Sequence, residues 1–322
     1  MKHMLIRKQI VLLGILALGC QGFSEQTNLA NHQSGHPKSK LGIHSGFCRN
    51  VVESACSDQI VWDYVTRAKP AVLKILDAVD VAKKVKQLSP STKIVGRLYL
   101  DKAFQDSGAQ QPVNLALESW KKKVSSSIIG NTAVDYWEGY NEPNVGSIQA
   151  MQWYASFEKT RVEWLAKLGK KACIGNFSVG TPHIHVEKSE FEAWSAFLPA
   201  LRAANQHQGV LCLHEYSRTK EFKDSYYWFV GRYRQVRTFL QQNNLGQLPI
   251  VITEFGFDVA GNPETDGWLA QGFTKDSYLQ QLRWYDELML QDSYVLGATI
   301  YSHGIPGWKS FDISSLLPLL GK

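Results

Sequence analysis

Short apolar runs recur along this 322-residue chain at intervals that leave room for a helix between neighbours. Eight of them read as strands: 41–46, 71–76, 94–100, 134–140, 172–177, 210–216, 249–255 and 296–301. They are rich in Val, Ile and Tyr and are nearly continuous, as expected of parallel strands buried on both faces. The stretches between them carry helical patterns. Ser147 is a good N-cap for 148–168, where Met151, Tyr154, Phe157, Leu165 and Leu168 fall on helical spacing before Gly169 stops the run. Ser189-Glu190-Phe191-Glu192 has the form of a capping box for a helix reaching about Ala204. Residues 225–242 and 274–290 are two further amphipathic stretches.

Strand–helix alternation through the whole chain implies a parallel sheet wrapped by helices. Eight repeats favour closure, an α/β single-domain (β/α)8 TIM barrel over residues 41–322. Some 280 residues suffice for one large core. No Gly-x-Gly-x-x-Gly follows the first run, so a dinucleotide-binding fold loses its main support.

The N-terminus alters where such a barrel would work. Lys2, Arg7 and Lys8 precede an unbroken apolar or small run, 10–19, too short to span a bilayer as a stable helix. Residues 1–20 therefore read as an export signal, the alternative being a short uncleaved anchor. Ala17-Leu18-Gly19-Cys20 resembles the bacterial lipoprotein cleavage box, with Ala17 where that box usually has Leu. A lipid anchor through Cys20 stands beside plain cleavage or a structural thiol, and export places the protein in the periplasm, on the cell surface or in the medium. Residues 21–40 are polar and read as a tether.

Removing the signal also removes three of the six net positive charges, leaving about +3, too weak and dispersed to argue for nucleic acid. Cys48 and Cys56, eight apart, suit a local disulfide in an oxidising compartment. Cys173 and Cys212 lie inside apolar runs, where free thiols and a bridge are equally expected. No Cys-x-x-Cys or His-x-x-x-His spacing suggests zinc, and His183 and His185 read as a solvated loop rather than a metal site. No cofactor, metal or nucleic acid is expected.

Acids at two strand ends carry the chemistry. The fourth run leads into Asn141-Glu142-Pro143 and the seventh into Thr253-Glu254-Phe255. In a β/α barrel those ends open into the active-site mouth. Retaining glycoside hydrolysis needs two carboxyls about 5–5.5 Å apart, one to protonate the leaving oxygen and one to attack the sugar. The sequence here resembles clan A of the glycoside hydrolases. The resemblance implies that Glu142 is the acid/base, Glu254 the nucleophile and Asn141 the donor to the sugar 2-hydroxyl. His214-Glu215-Tyr216 in the sixth run resembles the His-x-Tyr of several clan families, implying a histidine lining the sugar site and a tyrosine bonding the nucleophile. His214 and Tyr216 share a face, and Glu215 would point away from the interior.

Other residues are placed more loosely. Glu138 would be an inner-barrel carboxylate. Lys74 and Arg97 are cations within apolar runs, costly to bury alone, so one is expected to pair with Glu138 or to hold Glu254, or to form an ion pair on the barrel floor. Many clan A enzymes have an arginine on the second strand, where this chain has Lys74. Trp308 and Tyr301 are candidate sugar platforms at the eighth strand, and Tyr140 could face the mouth. Trp153 and Trp164 read as helix packing. Asp258, Asn262 and Asp266 lie in the loop after Glu254 and could meet substrate or solvent. The expected activity is retaining, double-displacement hydrolysis of a poly- or oligosaccharide by a monomer, and the resemblance to the clan implies a β-linked substrate. A catalytically silent glycan-binding lipoprotein and a transglycosylase remain as alternatives.

Overall fold

The computed structural model describes residues 38–49, 56–182 and 189–321. The export signal, Cys20, residues 21–37 of the tether, His183 and His185 lie outside the described residues. Among the described residues there are eight strands, β1 (Leu41–Ser45), β2 (Val72–Leu76), β3 (Lys93–Arg97), β4 (Tyr136–Trp137), β5 (Cys173–Phe177), β6 (Val210–Ser217), β7 (Ile250–Phe257) and β8 (Val295–His303). The helices are α1 (Gln59–Ala68), α2 (Ala82–Leu88), α3 (Lys102–Ala109), α4 (Val113–Ile129), α5 (Ile148–Lys167), α6 (Ser189–Gln206), α7 (Tyr233–Gln242) and α8 (Lys275–Leu290). The strands pair in parallel in the order β4-β3-β2-β1-β8-β7-β6-β5. A parallel bridge from Trp137 to Ala172 joins the two ends of that sheet, giving a single-domain (β/α)8 barrel.

Helix ends follow the sequence where side-chain caps exist. Ser147 accepts from the Ala150 amide at 3.1 Å to start α5. Thr274 and Ser277 form a reciprocal capping box at α8. The stretch 225–242 is a correction: only Tyr233–Gln242 is helical, and Tyr226 instead bridges Val230. Tyr227 and Gly231 sit at φ 78° and 75°, left-handed backbone that a helix cannot contain.

Alternation along each strand separates two apolar sets. Ile43, Leu73, Ile94, Ile174, Leu211 and Ile252 belong to the large core packed on the helices. Val72, Val95, Cys173, Val210, Cys212 and Val251 form a separate cluster, the apolar layer inside the barrel. Cys173 and Cys212 are joined there by a disulfide, and Cys48 pairs with Cys56.

The seam between β4 and β5 has few ladder bonds, and a side chain reinforces it. Arg161 of α5 donates to the Trp137 carbonyl at 2.9 Å and to the Cys173 carbonyl at 2.7 Å, one on each strand. Glu158 balances its charge at 2.6 and 3.0 Å. Gly139 is required beside them, since a Cβ would stand 2.6 Å from Glu158 and 2.7 Å from Arg161.

Candidate active site

Simple alternation from Ile252, which faces the helices, would turn Glu254 outward as well. One extra residue in β7 prevents this. Leu213 of β6 pairs with Ile252, yet His214 pairs with Glu254. On the other side, Ala298 and Ile300 of β8 pair with Ile252 and Phe255, three residues of β7 against two. The bulge at Thr253 shifts the register and turns Glu254 to the same inner face as His214. Thr299 fixes the bulge by donating to the Thr253 carbonyl at 2.6 Å.

Above the apolar layer the barrel interior is charged. Lys74 donates to Glu254 Oε1 at 3.0 Å, and Arg97 Nη1 donates to the same oxygen at 3.0 Å. Tyr216 donates to Glu254 Oε2 at 2.9 Å. Lys74 also stands 3.0 Å from Glu138 Oε2, close enough for an ion pair though lacking hydrogen-bond alignment. Thus two cations meet two anions in a buried cluster, and Lys74 both pairs with Glu138 and holds Glu254. Burial works against ionisation of Glu254, but His214, Lys74, Arg97 and His44 together outweigh it and hold the carboxyl well below the usual range. His44 of β1 lies 3.7 Å from Glu254 Oε1 and packs edge-on against Tyr301. Burial, followed by the charge of Lys74, pushes His44 well below the usual histidine range.

Glu142 is placed differently. It follows β4 by five residues, beyond the regular strand, with φ 45°, a conformation that non-glycine residues adopt at a cost of roughly 1–3 kcal/mol. Its amide donates to the Asn176 carbonyl at 3.0 Å, which pins the turn against β5. The side chain remains 38% exposed while that of Glu254 is 8% exposed. His214 Nδ1 joins the two, 2.8 Å from Glu142 Oε1 and 3.6 Å from Glu254 Oε2. One carboxylate oxygen from each glutamate lies within 4.8 Å of the other, with His214 in the same triangle. Asn141 accepts from Arg97 through its side-chain oxygen, and its amide donates to Gln105.

Glu142, His214 and Glu254 offer donors that a cation could use. Both oxygens of Glu254 are already engaged, Oε1 by Lys74 and Arg97 and Oε2 by Tyr216, so the protein itself supplies the positive charge.

A cleft of about 590 Å³ opens over the glutamates, lined among others by Arg97, Asn141, Tyr216, Tyr301 and Trp308. Tyr301 and Trp308 meet edge to face at 5.2 Å. His214 contacts both glutamates, and Asn141, Glu142, Tyr216, Glu254, Tyr301 and Trp308 line this cleft. Tyr140 does not. It is buried, stacked on Phe157 of α5 at 4.6 Å, because its side chain turns back toward the helices. Trp153 also stacks on Phe157, and Trp164 packs on Trp120. Glu215 faces outward and accepts from the Gly231 and Tyr233 amides and the Tyr285 hydroxyl. Asp258 lines the cleft, while Asn262 and Asp266 bond each other in an exposed turn. His44 was invisible as a site residue, although a histidine on the inward phase of a buried strand is a signal.

No sequence-family model matches the chain, and neither does any curated protein. Its fold matches solved glycosidase barrels. An endo-1,4-β-D-mannanase from Thermotoga petrophila RKU-1 superposes with a TM-score of 0.59 at 13% identity, covering 88% of this chain and 99% of that one. XacCel5A, solved in complex with cellopentaose, gives 0.51 at 11% identity, with 89% and 99% covered. A β-glucuronidase from Lactobacillus rhamnosus gives 0.53 at 13% identity, with 83% of this chain covered and only 43% of that larger one. What the chain shares with them is the (β/α)8 barrel fold. At these identities the likeness concerns the fold, and the chemistry rests on the side chains described above.

Proposed function

We propose that the protein is a retaining glycosidase acting on a β-linked poly- or oligosaccharide. The observation that carries this reading is the approach of Glu142 and Glu254 oxygens to within 4.8 Å. Retaining enzymes hold their carboxyls about 5–5.5 Å apart, whereas inverting ones leave about 6.5–9.5 Å for a water. The contrasting surroundings support the division of roles. Glu254, ionised among Lys74, Arg97 and Tyr216, attacks the anomeric carbon. As its Oε–C1 bond forms, the C1–O bond to the leaving sugar breaks and Glu142 gives that oxygen its proton. Water then attacks C1, Glu142 takes the water's proton, and Glu254 leaves as carboxylate. Asn141, which lines the same cleft, is in this reading the donor to the sugar's 2-hydroxyl. Two disulfides suit the export expected from residues 1–20, so we place the activity outside the cytoplasm.

The test is chemical rescue. Glu254→Ala should lose turnover on an activated β-aryl glycoside by at least about 10³-fold. Azide should restore it and yield the α-glycosyl azide. Full activity in that variant would sink the proposal, as would a β-configured azide.

A further inference from the structure

We infer that the enzyme cleaves internal bonds, and that the loop between β6 and α7, with Trp228 as its sugar platform, forms the binding site for the leaving-group side of the glycan. This rests on the proposed glycosidase reading and goes beyond it. A second lobe of about 690 Å³ adjoins the first and is lined by Ser178, Gly180, Arg218, Trp228, Phe229 and Arg232, among others. The two lobes share Glu142, Tyr216, Asp258 and Gly261, so Glu142 stands at their junction. Glu254 lines only the first lobe.

That asymmetry orients the substrate. The sugar attacked by Glu254 must lie in the first lobe, and the oxygen protonated by Glu142 must lie at the junction. Whatever is attached to that oxygen continues into the second lobe. Each lobe alone has the volume of a complete ligand pocket, about 300–1,000 Å³, so each side has room for more than a single sugar. An enzyme that trims chain ends would need one side blocked.

The second lobe is built to meet sugar. Trp228 is 48% exposed, unusual for so large an apolar side chain, and an exposed indole is the surface on which a pyranose face stacks. Its neighbour Phe229 lies 5.7 Å under the Arg218 guanidinium. Arg218 is fixed by two hydrogen bonds to the Val259 carbonyl, at 2.9 and 2.7 Å, and among the described residues has no carboxylate partner. It offers its charge and remaining donors to hydroxyl or carboxylate oxygens of the bound chain.

The loop itself is anchored from behind, so its aromatic edge is preformed. Glu215 holds the Gly231 and Tyr233 amides at 2.6 and 2.7 Å. Gln235 donates to the Tyr227 carbonyl at 2.6 Å.

The experiment uses a panel of reduced β-1,4- and β-1,3-linked hexasaccharides, with β-glycosyl fluorides of the matching sugars. Fluoride is too small to need a leaving-group subsite. On the hexasaccharide that is cleaved, early products should be di- to tetrasaccharides. Release of single sugars from one end would overturn the inference. Trp228→Ala should lower kcat/KM on that hexasaccharide by roughly tenfold while leaving fluoride hydrolysis within about twofold, and Trp228→Tyr should restore most of the loss. Equal loss on both substrates, or no loss on either, would overturn it. Glu254→Ala is the separate arm. If wild type and Glu254→Ala hydrolyse the fluorides equally, the glycosidase reading fails rather than the subsite.

Discussion

Lys74 stands 3.0 Å from Glu254 Oε1, the buried ammonium of one strand against the carboxylate of another on the far side of the barrel. It serves Glu138 at the same distance. Replacement by Met should therefore have two separable effects. Glu254 loses a cation that lowers its pKa, so the acidic limb of the pH–rate profile should move upward. Glu138 is left buried without a counter-ion, which costs about 3–5 kcal/mol. Adding Glu138→Gln should recover most of that stability in urea unfolding yet leave the pH limb displaced. Coincident recovery of both would mean that Lys74 acts only through folding.

Tyr216 gives Glu254 a hydroxyl donor, at 2.9 Å. A hydrogen bond to a charged group is worth about 1.5–3 kcal/mol. Tyr216→Phe should lower kcat roughly 10- to 100-fold and, like loss of Lys74, raise the acidic limb. Steady-state kinetics across pH 3–8 would show it. An unchanged limb would place the tyrosine's role in sugar contact alone.

Glu215 makes a prediction about stability rather than rate. Burial pushes its carboxyl up to about 7, and the Tyr285 hydroxyl and the Tyr233 and Gly231 amides only partly counter that. The unfolded chain releases this proton near the ordinary value of 4.5. Between those values the folded protein binds more protons, so stability falls as pH rises through the window and levels off above it. The contribution is on the order of 3 kcal/mol. Unfolding free energies at pH 5 and 7.5 should differ by less in Glu215→Gln than in wild type.

Arg161 reaches carbonyls on both β4 and β5, where the sheet has a single bridge. Arg161→Met removes these bonds and strands Glu158, and should destabilise the fold by about 3–5 kcal/mol. Hydrogen exchange should rise first in β4 and β5. A uniform rise around the barrel would argue against a local seam.

The barrel was legible because strands buried on both faces leave unbroken apolar runs, and because acids at the ends of two such runs are conspicuous. The phase of β7 was not legible: Thr253 looks like any strand residue, and only its neighbours reveal it as an extra one. His44 belongs to the site through contacts some 210 positions away in sequence, which no local pattern encodes. The segment 226–233 misled for the opposite reason. Tyr226, Val230 and Tyr233 repeat at helical spacing, but Gly231 and the amides drawn to Glu215 set a turn there instead.

The bulge in β7 has a meaning of its own. The site depends on a shift of phase as well as on residue types, much as a sentence depends on where a word break falls. Pairing Thr253 in regular register, with no bulge, would leave composition, charge and apolar content untouched. Yet Glu254 would then share the face of Ile252, toward the helices, and Thr299 would lose the carbonyl it holds. Two barrels with the same strand sequence could thus differ by one step of register and have quite different interiors, one presenting a carboxylate to the cleft and the other burying it against the outer shell.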